Sequence, residues 1–86
     1  MPVFMAAVEI HLKPGALDPQ GQAVADGLRQ LGHAGVRQVR VGKHVRIQLE
    51  AEDAVGATAQ VERMCAALLA NPVMETYRIV LTGPEA

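Results

Sequence analysis

The side chains that could act as nucleophiles, bases or metal ligands are few and widely spaced in this sequence. Cys65 is the one cysteine, so the chain has neither an internal disulfide nor a Cys-x-x-Cys metal pair. The histidines His11, His33 and His44 show no paired ligand spacing, and each is better explained as a surface polar residue. Cys65 falls on a predicted buried helical face, which favours a packed core thiol over a reactive nucleophile. We therefore predict no catalytic, cofactor-binding or metal site in this chain.

The segment most similar to an anion site is the loop that leads into the first predicted helix. Lys13 to Gly21 runs into a helix N-terminus, where unpaired N–H groups can bind anions. Asp18 already supplies negative charge there, and Pro19 removes one N–H donor. A structural helix cap is thus favoured over an anion site. The loop also lacks the arginine that a small hydrolase resembling acylphosphatase would need to hold a phosphate.

Length and composition indicate one small domain of the α+β class. The chain has 86 residues, of which 50% are hydrophobic and 2% aromatic, so a core of aliphatic residues is expected and disorder is excluded. No apolar run approaches the ~18 residues needed to cross a membrane. The formal charge of −1 gives no reason to expect nucleic acid or an anionic membrane as a partner. A lone cysteine fits a reducing compartment, and we expect a cytoplasmic protein.

The first half of the chain is predicted to form a strand and a helix. Apolar and polar residues alternate from Ala6 to Leu12, which is typical of a half-buried strand, and Pro14-Gly15 ends it. Asp18-Pro19 reads as the cap and first residue of a helix that Gly32 stops. Its apolar stripe is Val24, Leu28 and Leu31. Two glycines inside this helix, Gly21 and Gly27, suggest that another backbone comes close.

The second half of the chain is predicted to form a hairpin, a helix and a last strand. Val39–Val41 and Val45–Leu49 alternate on either side of Gly42-Lys43, which predicts two paired strands and a tight turn. A helix capped by Asp53 follows, with the apolar stripe Ala57, Val61, Met64 and Leu68 and with Cys65 and Leu69 beside that stripe. Asn71-Pro72 ends that helix, and Val73–Leu81 forms the last strand.

The resulting order, βαββαβ, predicts a two-layer ferredoxin-like sandwich. Its sheet would have four antiparallel strands, with both helices on one face. We expect a single domain over residues 1–82 and a short tail over residues 83–86.

Charge and exposed apolar groups point to a surface that meets other proteins. The basic residues Arg37, Arg40, Lys43 and Arg46 are half of the basic total and lie close together around the predicted hairpin. A solvated hairpin explains them, and so does electrostatic docking of a partner. The face of the sheet away from the helices would carry apolar side chains among charged ones: Phe4, Ala7, Val36 and Val80 among Glu9, Arg40, Arg46 and Arg78. Mixed surfaces of this kind suit subunit association.

Several strings along residues 4–81 resemble the PurS family, the small subunit of phosphoribosylformylglycinamidine (FGAM) synthase. They occur in order and at family-like spacing: Leu12-Lys-Pro-Gly15, Leu17-Asp-Pro-Gln-Gly21, Val41-Gly-Lys43 and Cys65-Ala-Ala-Leu-Leu-Ala-Asn-Pro-Val73, followed by Glu75 and Tyr77.

The resemblance implies a non-catalytic assembly subunit in purine biosynthesis. Such a subunit would bridge a glutaminase, PurQ, and an ATP-dependent synthetase, PurL, and would help to shelter ammonia in transit. ATP, Mg and glutamine would be used by these partners, with no cofactor in this chain. PurS-like proteins also associate as dimers or tetramers.

The resemblance also nominates residues for contacts with partners. They are Lys13, Pro14, Asp18, Pro19, Gly21, Gly42, Lys43, Asn71, Pro72, Glu75 and Tyr77. Backbone roles alone could account for Pro19, Gly42, Asn71 and Pro72, whereas Lys13, Lys43 and Tyr77 fit intermolecular contacts better. An alternative function from another class is a regulatory module that binds a small ligand and resembles ACT domains, which share the βαββαβ order.

Overall fold

Three strands, two α-helices and one π-helical turn are found in the described part of the chain. The computed structural model describes residues 1–85, and Ala86, the end of the predicted tail, lies outside the described residues. The elements in chain order are β1 (Val3–Leu12), α1 (Pro19–Gln30), β2 (Lys43–Glu50), α2 (Ala54–Met64), the π-helical turn (Cys65–Leu69) and β3 (Glu75–Thr82). β1 lies in the centre of one sheet, with β2 and β3 antiparallel to it on either side.

One face of β1 supplies most of the core. The alternation of the strand turns Phe4, Ala6, Val8 and Ile10 to the same side, where each is at most 2% exposed. Phe4 packs with Ala51 and with Ala57 of α2. The predicted place of Phe4 on the outer face was therefore wrong, because the period of two puts this residue on the side of Ala6.

α2 packs over this face of β1, and it begins directly after Asp53, the residue predicted to cap it. The Asp53 carboxylate accepts a hydrogen bond of 2.7 Å from the Gly56 N–H, and Val61 and Cys65 are fully buried against β1. The predicted stripe holds as far as Met64, but Leu68 is 84% exposed. The cause is the π-helical turn, closed by the Ala70 N–H to the Cys65 carbonyl at 3.0 Å. Its extra residue rotates the following positions, so that Leu69 rather than Leu68 packs on the core.

The predicted hairpin and the four-stranded sheet are not found in the described residues, where the sheet has three strands. Val39–Val41 lies beside α1 and is not a strand. The Val41 N–H, which a fourth strand would use in its ladder, donates to Asp18 Oδ2 at 3.0 Å. The side chain of Asp18 thus competes with strand pairing for this backbone group.

Both helices were predicted to cover one face of the sheet, and this expectation was wrong for α1. Within residues 1–85, α2 packs on β1 and β3, whereas α1 makes no substantial contact with any strand and contributes nothing to the core clusters. The helix begins at Pro19 behind the Asp18 cap, as predicted, and Gly32 follows its end with φ of 102°. The molecule is consequently long and thin, with extents of 52 × 29 × 14 Å.

Some of the residues predicted for the outer face of the sheet, the face away from α2, are found there. Ala7 lies opposite Arg46 on one neighbour and Val80 on the other. Glu9 accepts a 2.9 Å hydrogen bond from Arg78 across the β1–β3 pair. Val36 and Arg40, also expected here, lie instead in the segment beside α1.

The end of the described chain returns to the sheet. The Glu85 N–H donates to the Val3 carbonyl at 2.7 Å, and Gln48 Nε2 donates to Glu85 Oε2 at 3.0 Å. None of the helices described over residues 1–85 combines the length and apolar character needed to cross a bilayer.

Candidate functional site

Nearly all residues nominated from the sequence meet at one end of the sheet. Three segments converge there: the loop 13–18 after β1, the segment 36–43 before β2, and the turn 70–75 before β3. We call this region the convergence site. Tyr77 lies a short way along β3, opposite Ile10 of β1.

Lys13 ties the first segment to the third. Its backbone N–H donates to the Met74 carbonyl at 2.8 Å, and its Nζ donates to the Pro72 carbonyl at 2.9 Å. The neighbouring Pro14 is exposed and begins the turn before α1. The ammonium of Lys13, nominated for an intermolecular contact, is thus engaged within the chain.

Asp18 is a buried carboxylate that joins two segments. It is 6% exposed, and its Oδ1 accepts from the Gly21 N–H at 2.8 Å while its Oδ2 accepts from the Val41 N–H. These two backbone donors, first that of Val41 and then that of Gly21, hold the pKa of Asp18 below its ordinary value of 3.8. The prediction that Asp18 caps the helix is confirmed. Its second hydrogen bond, from the Val41 N–H, was not predicted from the sequence.

Two glycines are needed because backbones approach closely at this site. A Cβ added at Gly42 would lie 2.6 Å from the Ile10 carbonyl oxygen and 2.8 Å from His11 Nδ1. A Cβ added at Gly21 would overlap the Val39 carbonyl oxygen, so the predicted close approach to α1 is confirmed there. It is wrong for Gly27, where an added Cβ meets nothing within 4 Å.

Lys43 and Glu75 form an ion pair across β1. They pair in register with Ile10 and Leu12, which places both side chains on the helix-bearing face of the sheet. Lys43 Nζ lies 3.4 Å from Glu75 Oε2, and Glu75 Oε1 also accepts from the Asn71 N–H at 2.8 Å. The Asn71 N–H first, and Lys43 after it, lower the pKa of Glu75.

Asn71 and Pro72 lie in the turn that precedes Glu75, the first residue of β3. Asn71 Oδ1 accepts from the Val73 N–H at 3.0 Å, and the Asn71 carbonyl accepts from the Glu75 N–H at 2.8 Å. The Asn side chain therefore imitates a backbone turn, as its type favours. The helical segment ends at Leu69, shortly before Asn71-Pro72, as the sequence predicted.

The surface at this end carries, beside the nominated Tyr77, three apolar side chains that were not among the nominated residues. Val73 is 75% exposed, Leu17 is 66% exposed, and Met74 and Tyr77 are each 40% exposed. Leu17 and Val73 lie inside the strings that resemble PurS. An apolar residue next to turn residues in these strings was the feature of the sequence that could have identified them as contact residues. Exposed apolar groups next to a well-bonded turn suit contact with another protein.

A cleft of about 470 Å³ opens beside the ion pair. It is lined by Leu12, Leu17, Asp18, Pro19, Gln20, Val41, Gly42, Lys43 and Glu75. The charged groups in its wall are occupied by the intramolecular bonds described above. Within residues 1–85 no cluster of three or more His, Cys, Asp and Glu side chains is arranged to hold a metal ion.

The isolated residues with reactive side chains lie where the sequence predicted. Cys65 is fully buried, and burial, together with the charge of Glu62, raises the pKa of its thiol. His11, His33 and His44 are all exposed.

Comparisons with known proteins agree with one another on the family. Residues 5–83 match the family model for PurS, phosphoribosylformylglycinamidine (FGAM) synthase. The PurS subunit of this synthase from Synechocystis sp. is 47% identical over 82 residues, which cover 95% of this chain and 82% of the relative. PurS from Thermus thermophilus has a TM-score of 0.83 at 47% identity, covering 95% of this chain and 98% of that one.

A chain in the structure of PurLQS from Thermotoga maritima is also similar. It has a TM-score of 0.87 at 32% identity, and the match covers 95% of this chain and all of that one. The chain therefore belongs to the PurS family and is a small subunit of phosphoribosylformylglycinamidine synthase in purine biosynthesis.

Proposed function

We propose that this chain is an assembly subunit that bridges the glutaminase PurQ and the synthetase PurL and assists the transfer of ammonia between them. The observation that carries the proposal is that the charged groups of the convergence site are bonded to the chain itself. Asp18, Lys13 and the Lys43–Glu75 pair hold backbone segments in place. Such groups position a surface, and they are poorly placed to act on a substrate.

The surface so positioned is the proposed contact for a partner. The exposed apolar side chains of Leu17, Val73, Met74 and Tyr77 surround the bonded turn. The nominated residues contribute to this contact mainly by holding in place the backbone segments that carry the apolar side chains. The similarity to the chain in PurLQS from Thermotoga maritima supports an assembly role.

The remaining parts of the proposal concern the state of the chain in the cell. We propose that it holds no cofactor and that ATP, Mg and glutamine are bound by PurL and PurQ. We propose a cytoplasmic protein that self-associates as a dimer or tetramer. Residues 1–82 would form the PurS-like domain and residues 83–86 its tail.

The test compares glutamine with free ammonia as the nitrogen source. PurL, PurQ and this chain are mixed, and FGAM formation is measured with each source. A Val73→Asp variant should lower the glutamine-dependent rate and the yield of the ternary complex, and it should leave the ammonia-dependent rate of PurL unchanged. A matched control is Val55→Asp, since Val55 is 80% exposed at the start of α2, near the opposite end of the sheet.

Two results would contradict the proposal. One is full glutamine-dependent activity of PurL and PurQ without this chain. The other is a ternary complex that Val73→Asp and Val55→Asp weaken equally, since the contact would then lie elsewhere than at the convergence site.

A further inference from the structure

A groove of about 650 Å³ lies between α1 and the extended segment that leads from the end of α1 toward β2. We call it the α1 groove. Its walls include three residues of α1 and three of the extended segment: Gln22, Ala25, Arg29, Arg37, Gln38 and Val39. Its volume lies within the range of cavities that hold small molecules in proteins. By their spacing, the three α1 residues lie on a different side of the helix from the stripe Val24, Leu28 and Leu31, so the groove is separate from that stripe.

The walls of the α1 groove are held in place by hydrogen bonds within the chain. Arg29 donates from Nε to the Val36 carbonyl at 3.0 Å and from Nη2 to the Arg37 carbonyl at 3.1 Å. Arg40 donates from Nη2 to the Lys13 carbonyl at 3.1 Å. A cavity whose walls are already fixed can bind a ligand with little cost for ordering them.

The extended segment offers the groove a backbone donor. The Arg37 and Val39 carbonyls and the Val41 N–H all face α1 or its cap. In an extended segment the N–H and the carbonyl of one residue point to the same side, so the Val39 N–H also faces α1. Among the described residues this N–H has no hydrogen-bond acceptor. Backbone N–H groups away from open solvent normally have a partner, which a ligand in the groove would supply.

Arg37 adds an unpaired positive charge to the same wall. Its guanidinium takes part in none of the side-chain hydrogen bonds or ion pairs found among residues 1–85, whereas Arg29 pairs with Asp26 at 3.1 Å. The sequence left two explanations for Arg37, a solvated hairpin and docking of a partner, and the groove gives it a third. A guanidinium presents parallel N–H groups that match the two oxygens of a carboxylate.

The other side chains of the α1 groove favour a small carboxylate over a nucleotide. Phe4 and Tyr77 are the only aromatic residues of the chain, and neither lines the groove. The groove therefore offers no ring on which a base would stack. The amides of Gln22 and Gln38 can each donate to and accept from the polar end of a small molecule.

We propose that the α1 groove binds a small carboxylate of the amino-acid type between the Arg37 guanidinium and the Val39 N–H. These two groups hold the carboxylate oxygens, and the amides of Gln22 and Gln38 contact the rest of the ligand. This binding goes beyond the assembly role proposed above and does not depend on it, since a bridging subunit needs no ligand of its own.

Titration of the full, isotopically labelled chain, followed by the chemical shifts of its backbone amides, tests this site. The probes are L-glutamate, L-glutamine, AMP and inorganic phosphate. We expect saturable shifts with the two amino acids, largest at the Val39 amide and absent at Val80 on the outer face of the sheet. Arg37→Gln should weaken their binding by about 10- to 100-fold, because it removes a charged hydrogen-bond donor. The matched control is Arg46→Gln, which removes an exposed arginine from the outer face and should leave the affinity unchanged.

Several results would overturn the proposal. One is the absence of saturable shifts with the amino acids at up to about 10 mM, and another is a set of shifts centred away from Val39. Equal weakening by Arg37→Gln and Arg46→Gln would indicate a diffuse effect of charge. Binding of AMP or phosphate without the amino acids would rule out a carboxylate site. The Val39 shift is read in the unsubstituted chain, so it decides the matter even if Arg37→Gln does not fold, and the bridging test with PurL and PurQ gives its result independently.

Discussion

Substitution of Gly42 by alanine tests the close approach on which the convergence site depends. The new Cβ would lie 2.6 Å from the Ile10 carbonyl oxygen, which belongs to the central strand and has little freedom to move. Overpacking of this kind costs about 1–3 kcal/mol. For a domain of this size each kcal/mol shifts the Tm by about 4–8 °C, so Gly42→Ala should lower the Tm by at least that amount.

The matched control is the same substitution at Gly27, inside α1. Apart from the neighbouring residues and backbone of α1 itself, no atom of the described residues lies within 4 Å of a Cβ added there. Alanine is favoured over glycine in a helix by about 1 kcal/mol, so Gly27→Ala should raise the Tm. One type of substitution therefore has opposite signs at two positions, for reasons that only the tertiary structure separates.

The assay is thermal unfolding followed by far-UV circular dichroism. Both variants and the parent are compared at one protein concentration, because self-association makes the Tm depend on concentration. If Gly42→Ala melts at or above the temperature of the parent, the start of β2 does not lie against β1 as described, and the reasoning on the convergence site fails.

Other predictions concern the Asp18 carboxylate, the Cys65 thiol and the packing of the core. The lowered pKa of Asp18 means that its contribution to stability is present above pH 3.8 and is lost as the pH falls through its folded value. The urea midpoints of the parent and Asp18→Asn should therefore differ at neutral pH and converge in acid; a difference that stays constant over the whole pH range would contradict this role of the Asp18 carboxylate. The Cys65 thiol should resist a thiol reagent at neutral pH and react once urea unfolds the chain, since it is buried and its pKa is raised; rapid reaction of the folded protein would contradict its place in the core. Phe4→Ala should cost about 3–5 kcal/mol of unfolding free energy, and Leu68→Ala within about 0.5 kcal/mol, measured by urea titration; equal costs would refute the rotation by the π-helical turn.

Much of the convergence site could be anticipated because its parts depend on short-range chemistry. The cap at Asp18 and the turn at Asn71-Pro72 each involve donors and acceptors that lie within a few residues of one another. The strings that resemble PurS placed these residues in one candidate set. Their convergence in space follows from the antiparallel register, which brings the end of β1 beside the starts of β2 and β3.

The sequence by itself determined the first strand and both helix caps, since each follows from periodicity or residue type. It did not determine whether Val39–Val41 pairs with β2 or bonds to Asp18, because either arrangement can give the Val41 N–H an acceptor. Nor did it determine what the stripe of α1 covers. An apolar stripe specifies that a surface must be buried, but only the tertiary arrangement decides against which surface, and here the chain's own sheet leaves that place open.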